Sequence, residues 1–66
     1  METKYPKIKV KLVGTDGNAL SLVSAVKRGL RSGGVSQEEI DKFQNEALSG
    51  DYDHVIQTCM KWVHVS

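Results

Sequence analysis

The chain has 66 residues, of which 39% are apolar and 26% charged, and its net charge is +1. A chain this short forms one small domain and buries only about 60% of its unfolded surface, so its stability margin is narrow. Its one cysteine excludes an internal disulfide and, together with two histidines, is too few for a closed zinc site of cysteine and histidine ligands.

No apolar run in residues 1–20 is long enough for a signal peptide, and no stretch approaches the roughly 20 apolar residues that span a bilayer. These features and the lone cysteine favour a cytoplasmic protein without a membrane segment, and the composition suggests no cofactor. The small net charge hides an asymmetry. Residues 1–33 carry seven lysines or arginines against two acidic residues, a net +5, whereas residues 34–66 carry two against six, a net −4.

The first predicted element is a strand over residues 7–13, after a flexible lead-in over residues 1–6. Ile8, Val10 and Leu12 alternate with three lysines, a pattern that predicts one buried and one solvated face. Residues 14–18, with two glycines, an aspartate and an asparagine, predict a turn in which Asp16 or Asn18 caps the next helix.

Three helices are predicted next. The apolar spacing favours the first over residues 19–32, ended by two glycines, with Arg28 opposite its apolar stripe. Ser36 and Glu39 match a capping box, which starts a second helix running to about Leu48. The residues that this helix is expected to bury are Ile40, Phe43, Ala47 and Leu48. The third helix is capped by Asp51 and is predicted from a stripe of apolar residues at helical spacing: Tyr52, Val55, Ile56, Cys59, Met60 and Val63.

Residues 62–66 alternate like a short strand. The predicted fold is therefore α+β, a single compact domain over residues 7–66 in the order β-α-α-α-β, with two short strands packed against three helices. Because a two-stranded sheet is marginal by itself, the helices must cover one of its faces. We expect the first strand to pair with the last, and the direction of pairing stays open.

Segments 9–19 (KVKLVGTDGNA), 49–54 (SGDYDH) and 57–60 (QTCM) resemble a family of short bacterial and phage-borne proteins with no assigned function. The resemblance covers most of the chain. It implies a compact domain and no particular chemistry.

Four features could carry chemistry. The turn over residues 14–18 lies before a helix N-terminus, where anions bind, but it lacks the spacing of known phosphate loops, so a plain turn is favoured. Cys59 falls on an apolar stripe away from His54, and His64 has no defined neighbour, so a buried inert thiol is favoured over a nucleophile. Asp51 and Asp53 are explained by capping and the helix dipole rather than as a carboxylate pair.

The fourth feature is a basic face. It consists of Lys7, Lys9 and Lys11 on the first strand and Arg28 and Arg31 on the first helix. Trp62 is a separate candidate partner-binding residue, as a stacking platform or an interface anchor. If strand and helix are neighbours, the cations suit phosphates or acidic groups. A solvated strand face is the simpler interpretation, and for Trp62 the simpler interpretation is a residue at the rim of the core.

With no recognisable set of acid, base and nucleophile, we expect a non-enzymatic protein-interaction module rather than an enzyme. Its partner is an unidentified protein, and the complementary halves favour a homodimer. The alternative function is a nucleic-acid-binding accessory protein that uses the basic face, although no nucleic-acid-binding signature is present and no aromatic residue lies among the lysines.

Overall fold

Strands and helices follow one another in the predicted order. The computed structural model describes residues 3–11 and 18–65. Its elements are β1 (Tyr5–Val10), α1 (Ala19–Ser32), α2 (Gln37–Ala47), α3 (Tyr52–Trp62) and β2 (Val63–Val65). The prediction of a small α+β domain of order β-α-α-α-β is confirmed.

β1 and β2 form a parallel pair, in which Tyr5 lies opposite Val63 and Lys9 opposite His64, with an irregularity between Tyr5 and Lys9. The paired Lys9 and His64 are exposed, whereas Val10 and Val63 are buried. One face of the sheet is therefore solvated, and the other packs on the helices, because α1 contacts β1 and α3 contacts β2.

β1 begins two residues earlier than predicted. The Thr3 hydroxyl donates to the carbonyl of Met60 at 3.1 Å, and the N–H of Lys4 donates to the carbonyl of Lys61 at 2.8 Å. These bonds attach residues 3 and 4 to the end of α3, so the lead-in predicted over residues 1–6 is too long. The predicted strand residues Leu12 and Val13 lie outside the described residues, as does most of the predicted turn over residues 14–18.

All three helices have a side-chain cap at the N-terminus. Asn18 Oδ1 accepts a hydrogen bond from the N–H of Leu20, and Asp51 Oδ1 accepts one from the N–H of His54. Ser36 Oγ accepts from the N–H of Glu39 at 3.3 Å. The carboxylate of Glu39 faces β1 instead, 2.7 Å from Lys4 Nζ and 3.2 Å from the Tyr5 hydroxyl. The hydrogen bond from Lys4 holds the pKa of Glu39 below its usual value.

α1 ends in a Schellman motif. The N–H of Val35 donates to the carbonyl of Leu30 and the N–H of Gly34 to that of Arg31. Gly34 adopts a φ of 83°, which side chains other than glycine rarely tolerate. The two-glycine sequence thus turns the chain sharply from α1 into α2.

The core lies among the three helices and the inner face of the sheet, and each helix contacts the other two. Its largest fully buried side chains are Phe43, Leu30, Ile40, Val26, Val55 and Val63. α1 is the longest helix, with 14 residues, and none of the helices in residues 3–11 and 18–65 is long and apolar enough to cross a bilayer.

The buried face of α3 differs from the predicted stripe. Tyr52 is 43% and Met60 56% exposed, whereas Thr58 and Trp62 are buried. The reason is that Trp62 offers more apolar surface than Met60 and closes on aromatic neighbours, while Thr58 satisfies its hydroxyl by donating to the carbonyl of His54. The helix is therefore rotated about its axis relative to the prediction.

Leu48 was also predicted to be buried and is 42% exposed. The helix α2 ends at Ala47, so Leu48 is the C-cap residue. At this position the chain has already left the helical spiral, and the side chain no longer follows the apolar face of α2.

Replacement of Ser36 by alanine should lower the free energy of unfolding by about 1 kcal/mol, because the N–H of Glu39 loses its side-chain acceptor. In a domain of this size, that change corresponds to a fall in melting temperature of about 4 to 8 °C. Thermal unfolding followed by circular dichroism measures it. Ser24→Ala, at an exposed position inside α1, is the control and should leave the midpoint almost unchanged. Equal midpoints for the two variants would contradict the cap.

Candidate functional site

Four of the six predicted partner-binding residues surround one open groove between β1 and α1. Its volume is about 490 Å³, and it is lined by residues 7–11 on one side. The other side is formed by Ala25, Arg28, Gly29, Ser32 and Gly33. Lys7, Lys9, Lys11 and Arg28 therefore converge, and we call this surface the basic groove.

Two smaller hollows adjoin the basic groove. One, of about 210 Å³, is lined by Ser24, Lys27, Arg28 and Arg31, so Arg31 lies next to the groove rather than in it. The other, of about 300 Å³, is lined by residues 4–8 and Gly33. Together with the groove it follows the chain from residue 4 to residue 11.

The groove depends on a close approach between α1 and β1. A Cβ atom on Gly29 would lie 2.7 Å from Cγ2 of Val10, and one on Gly33 would lie 2.6 Å from Cδ1 of Ile8. Both distances are shorter than atoms tolerate, so glycine at these positions lets the helix backbone reach the strand. With Ala25 and Ser32 beside them, the helix side of the groove carries mainly small residues.

The groove runs along an edge of β1. Residues 7–11 are consecutive and face alternately toward the core and toward solvent, yet all five line it. Consecutive residues share only the edge of a strand, since their side chains alternate between its faces. The other edge is paired with β2, and within residues 3–11 and 18–65 the sheet has no third strand.

Charge in the basic groove is not neutralised by the acidic residues that the structure describes. The ion pairs among residues 3–11 and 18–65 join Lys4 and Lys42 to Glu39 and Lys61 to Glu46. These pairs involve cations outside the groove. Lys27, in the adjoining hollow, donates to Gln44 Oε1, a neutral group. Among residues 3–11 and 18–65, no acidic side chain forms an ion pair with Lys7, Lys9, Lys11 or Arg28.

Trp62 lies apart from the basic groove. It is 5% exposed and packs edge-on against Phe43, with ring centroids 5.6 Å apart, and at a tilt against Tyr5 at 6.0 Å. Lys4 Nζ lies 4.2 Å from the centroid of its ring, a cation–π contact. Its indole N–H donates to Glu46 at 3.4 Å. Because it is buried and contacts Phe43, Tyr5 and Lys4, Trp62 belongs to the core, and it ends α3 rather than beginning the last strand.

The thiol of Cys59 is buried, and the imidazole of His54 is engaged in structural contacts. Cys59 is fully buried, as predicted, and burial raises the pKa of its thiol to about 11. His54 Nε2 lies 2.8 Å from the carbonyl of Glu46 and 3.2 Å from Ser49 Oγ. Because a carbonyl only accepts, Nε2 carries a proton and cannot take one from Ser49. His54 instead ties the end of α2 to α3.

The acidic candidates also have structural roles. Asp51 caps α3, and Asp53 is exposed in its first turn, where the helix dipole favours negative charge. Within the described part of the chain, no three side chains of histidine, cysteine, aspartate or glutamate lie close enough together to hold a metal ion.

Sequence reasoning found the cations of the groove but missed its small residues and its strand edge. The signal for the small residues was the pair Gly29 and Gly33, which lie one helical turn apart, the first within α1 and the second just after it. Glycines at this spacing let a neighbouring backbone approach one side of a helix. The strand edge had no such signal, because it depends on which strand pairs with which.

The thiol of Cys59 should react slowly with a thiol reagent at pH 8, because it is buried and its pKa of about 11 leaves little thiolate. In guanidinium chloride the same thiol should react at the rate of an exposed cysteine, which provides the control. Absorbance of the released chromophore follows both reactions. Equal rates with and without denaturant would contradict the buried position.

Comparison with known proteins adds no relative. No protein-family model, curated protein or solved structure matches the chain. The resemblance of segments 9–19, 49–54 and 57–60 to short bacterial and phage-borne proteins stays a prediction, and function has to be inferred from the basic groove.

Proposed function

We propose that this chain is a non-enzymatic interaction module that binds an acidic segment of a partner protein in the basic groove. The observation that supports this most strongly is the convergence of Lys7, Lys9, Lys11 and Arg28 on one concave surface. Like charges repel when brought together, so such a cluster costs stability unless an anion offsets it. A partner with carboxylates supplies that anion.

The non-enzymatic part of the proposal has its own support. The thiol of Cys59 is buried and protonated at neutral pH, and the Nε2 atom of His54 is committed to a backbone carbonyl. Neither group faces the basic groove, whose polar side chains are three lysines, one arginine and one serine. Binding is the chemistry that this set of residues favours.

Nucleic-acid binding is the second candidate, and one observation favours it. Lys27 and Arg31 extend the cationic surface beyond the groove along α1, so six cations lie on one side of the molecule. Against it, Ile8 and Val10 contribute apolar surface to the groove, and its lining includes no aromatic ring on which a base could stack. The lining thus combines cationic and apolar surface, which suits a protein segment that carries both acidic and apolar side chains.

Replacement of both Lys9 and Arg28 by glutamine should weaken binding of a labelled glutamate-rich peptide by about fivefold or more, because two groove cations are lost. Fluorescence anisotropy at low and physiological salt measures the change. The matched control is Lys42→Gln with Lys61→Gln, which removes the same charge from exposed positions outside the groove. Equal losses in the two double variants would mean that only net charge matters and would contradict the groove as the site.

The same assay separates the two candidate functions. Single-stranded and duplex DNA of matched length are titrated beside the peptide at equal salt. Tighter binding of the peptide supports a protein partner. Tighter binding of either DNA, with a steep loss as salt rises, would overturn the protein partner and favour the nucleic-acid-binding accessory protein.

A second copy of the chain could supply the acidic partner. Glu38 and Asp41 are exposed on α2 and could approach the basic groove of another copy. We expect a weak homodimer that dissociates as salt rises, because exposed charges are screened. Sedimentation at about 100 µM protein, at low and high salt, tests this expectation. A monomer at both salts would exclude self-association and leave a different protein as the partner.

A further inference from the structure

We propose that the acidic partner binds as an extended segment that pairs with the free edge of β1 and adds a third strand to the sheet. This inference rests on the proposed function and specifies how the partner is held. Its starting point is that the basic groove follows the unpaired edge of β1, where backbone N–H and C=O groups are available to an incoming chain.

The shape of the groove suits a strand. With the hollow beside residues 4–8, it follows the chain continuously from residue 4 to residue 11. Pro6 has no backbone N–H to offer, so full pairing is expected along residues 7–11. On the helix side, Ala25, Gly29 and Ser32 have short side chains or none, which leaves space for a chain to lie over α1 beside the strand.

The charge pattern specifies the partner. Lys7, Lys9 and Lys11 repeat every second residue, so an added strand places every second side chain beside a lysine. Acidic residues at those positions form cross-strand pairs of opposite charge. The intervening side chains would lie beside Ile8 and Val10 and over α1, where small apolar residues fit. The partner segment should therefore alternate acidic and apolar residues.

The lysine row also excludes the β1 strand of a second copy. Pairing two such edges would place lysines opposite lysines, which destabilises a strand pair. β2 of a second copy, with the sequence Val-His-Val, offers no carboxylate. The exposed Glu38 and Asp41 of a second copy lie in helix α2 and cannot enter as a strand. An extended acidic segment of a different protein is therefore the occupant to which the charges point.

The test uses a labelled, end-blocked peptide of about seven residues in which glutamate and valine alternate, titrated against the full chain. Its first control has the same composition with the glutamates and valines in separate blocks. Its second has the alternating sequence with methylated backbone nitrogens. We expect the alternating peptide to bind about tenfold more tightly than either control, because only it can form both the backbone bonds and the charge pairs.

Protein variants test the same geometry from the other side. Ser32→Leu places a bulky side chain in the groove, whereas Ser24→Leu makes the same change at an exposed position on α1 outside it. Ser32→Leu should lose about tenfold in affinity and Ser24→Leu should bind normally. Amide hydrogen exchange of residues 7–11 should slow when the peptide is bound, which reports strand addition without any variant.

The outcomes separate this inference from the proposed function. Suppose that the two control peptides, one with glutamates and valines in separate blocks and one with methylated backbone nitrogens, bind as tightly as the alternating peptide. If Lys9→Gln with Arg28→Gln still weakens the binding of all three peptides, strand addition is overturned and the acidic partner stands. Unchanged amide exchange at residues 7–11 on saturation would also overturn strand addition. If no acidic peptide binds, or if the groove variants have no effect, the proposed function fails as well.

Discussion

The structure depends on the parallel pairing of its first and last strands. β1 and β2 are short, and a two-stranded sheet has little stability without a covering layer. A parallel pair also requires a connection that returns the chain to the end at which it began, and here three helices make that return. The hydrogen bonds from Thr3 and Lys4 to the end of α3 extend this closure of the first strand on the last elements of the chain. The helices and the sheet therefore stabilise each other.

The aromatic cluster around Trp62 joins the elements that this closure brings together. Tyr5 comes from β1, Phe43 from α2 and Trp62 from α3, so three elements meet at one set of rings. Lys4 and Glu39 cover the cluster, since the lysine contacts both the indole ring and the carboxylate. This exposed ion pair adds little stability by itself. Through this pair, the acidic half of the chain neutralises Lys4, a cation that does not line the basic groove itself.

The same strand pairing leaves the lysines of the basic groove at the edge of β1 that lies away from β2. β2 occupies one edge of the strand, and α1 packs against its inner face through Gly29 and Gly33. The second edge and the lysine side chains then face one concave surface, with Arg28 on the opposite wall. The proposed partner would use backbone hydrogen bonds for affinity and the lysine spacing for specificity. Both properties follow from the placement of a single strand.

Local patterns in the sequence were sufficient to predict the order of elements, the bounds of α1, the caps at Ser36 and Asp51 and the burial of Cys59. For the cap of α1 they left two candidates, of which the structure shows Asn18. Each of these features depends on residues within a few positions of one another. The same applies to the alternation of lysines along β1. Tertiary structure decided what local spacing leaves open. The rotation of α3, which exposes Met60 and buries Trp62, depends on the aromatic partners that other elements supply. Contacts between residues far apart in the chain decide the strand direction, the free edge of β1 and the proximity of its lysines to Arg28. The spacing of neighbouring residues carries no information about the energy of those contacts.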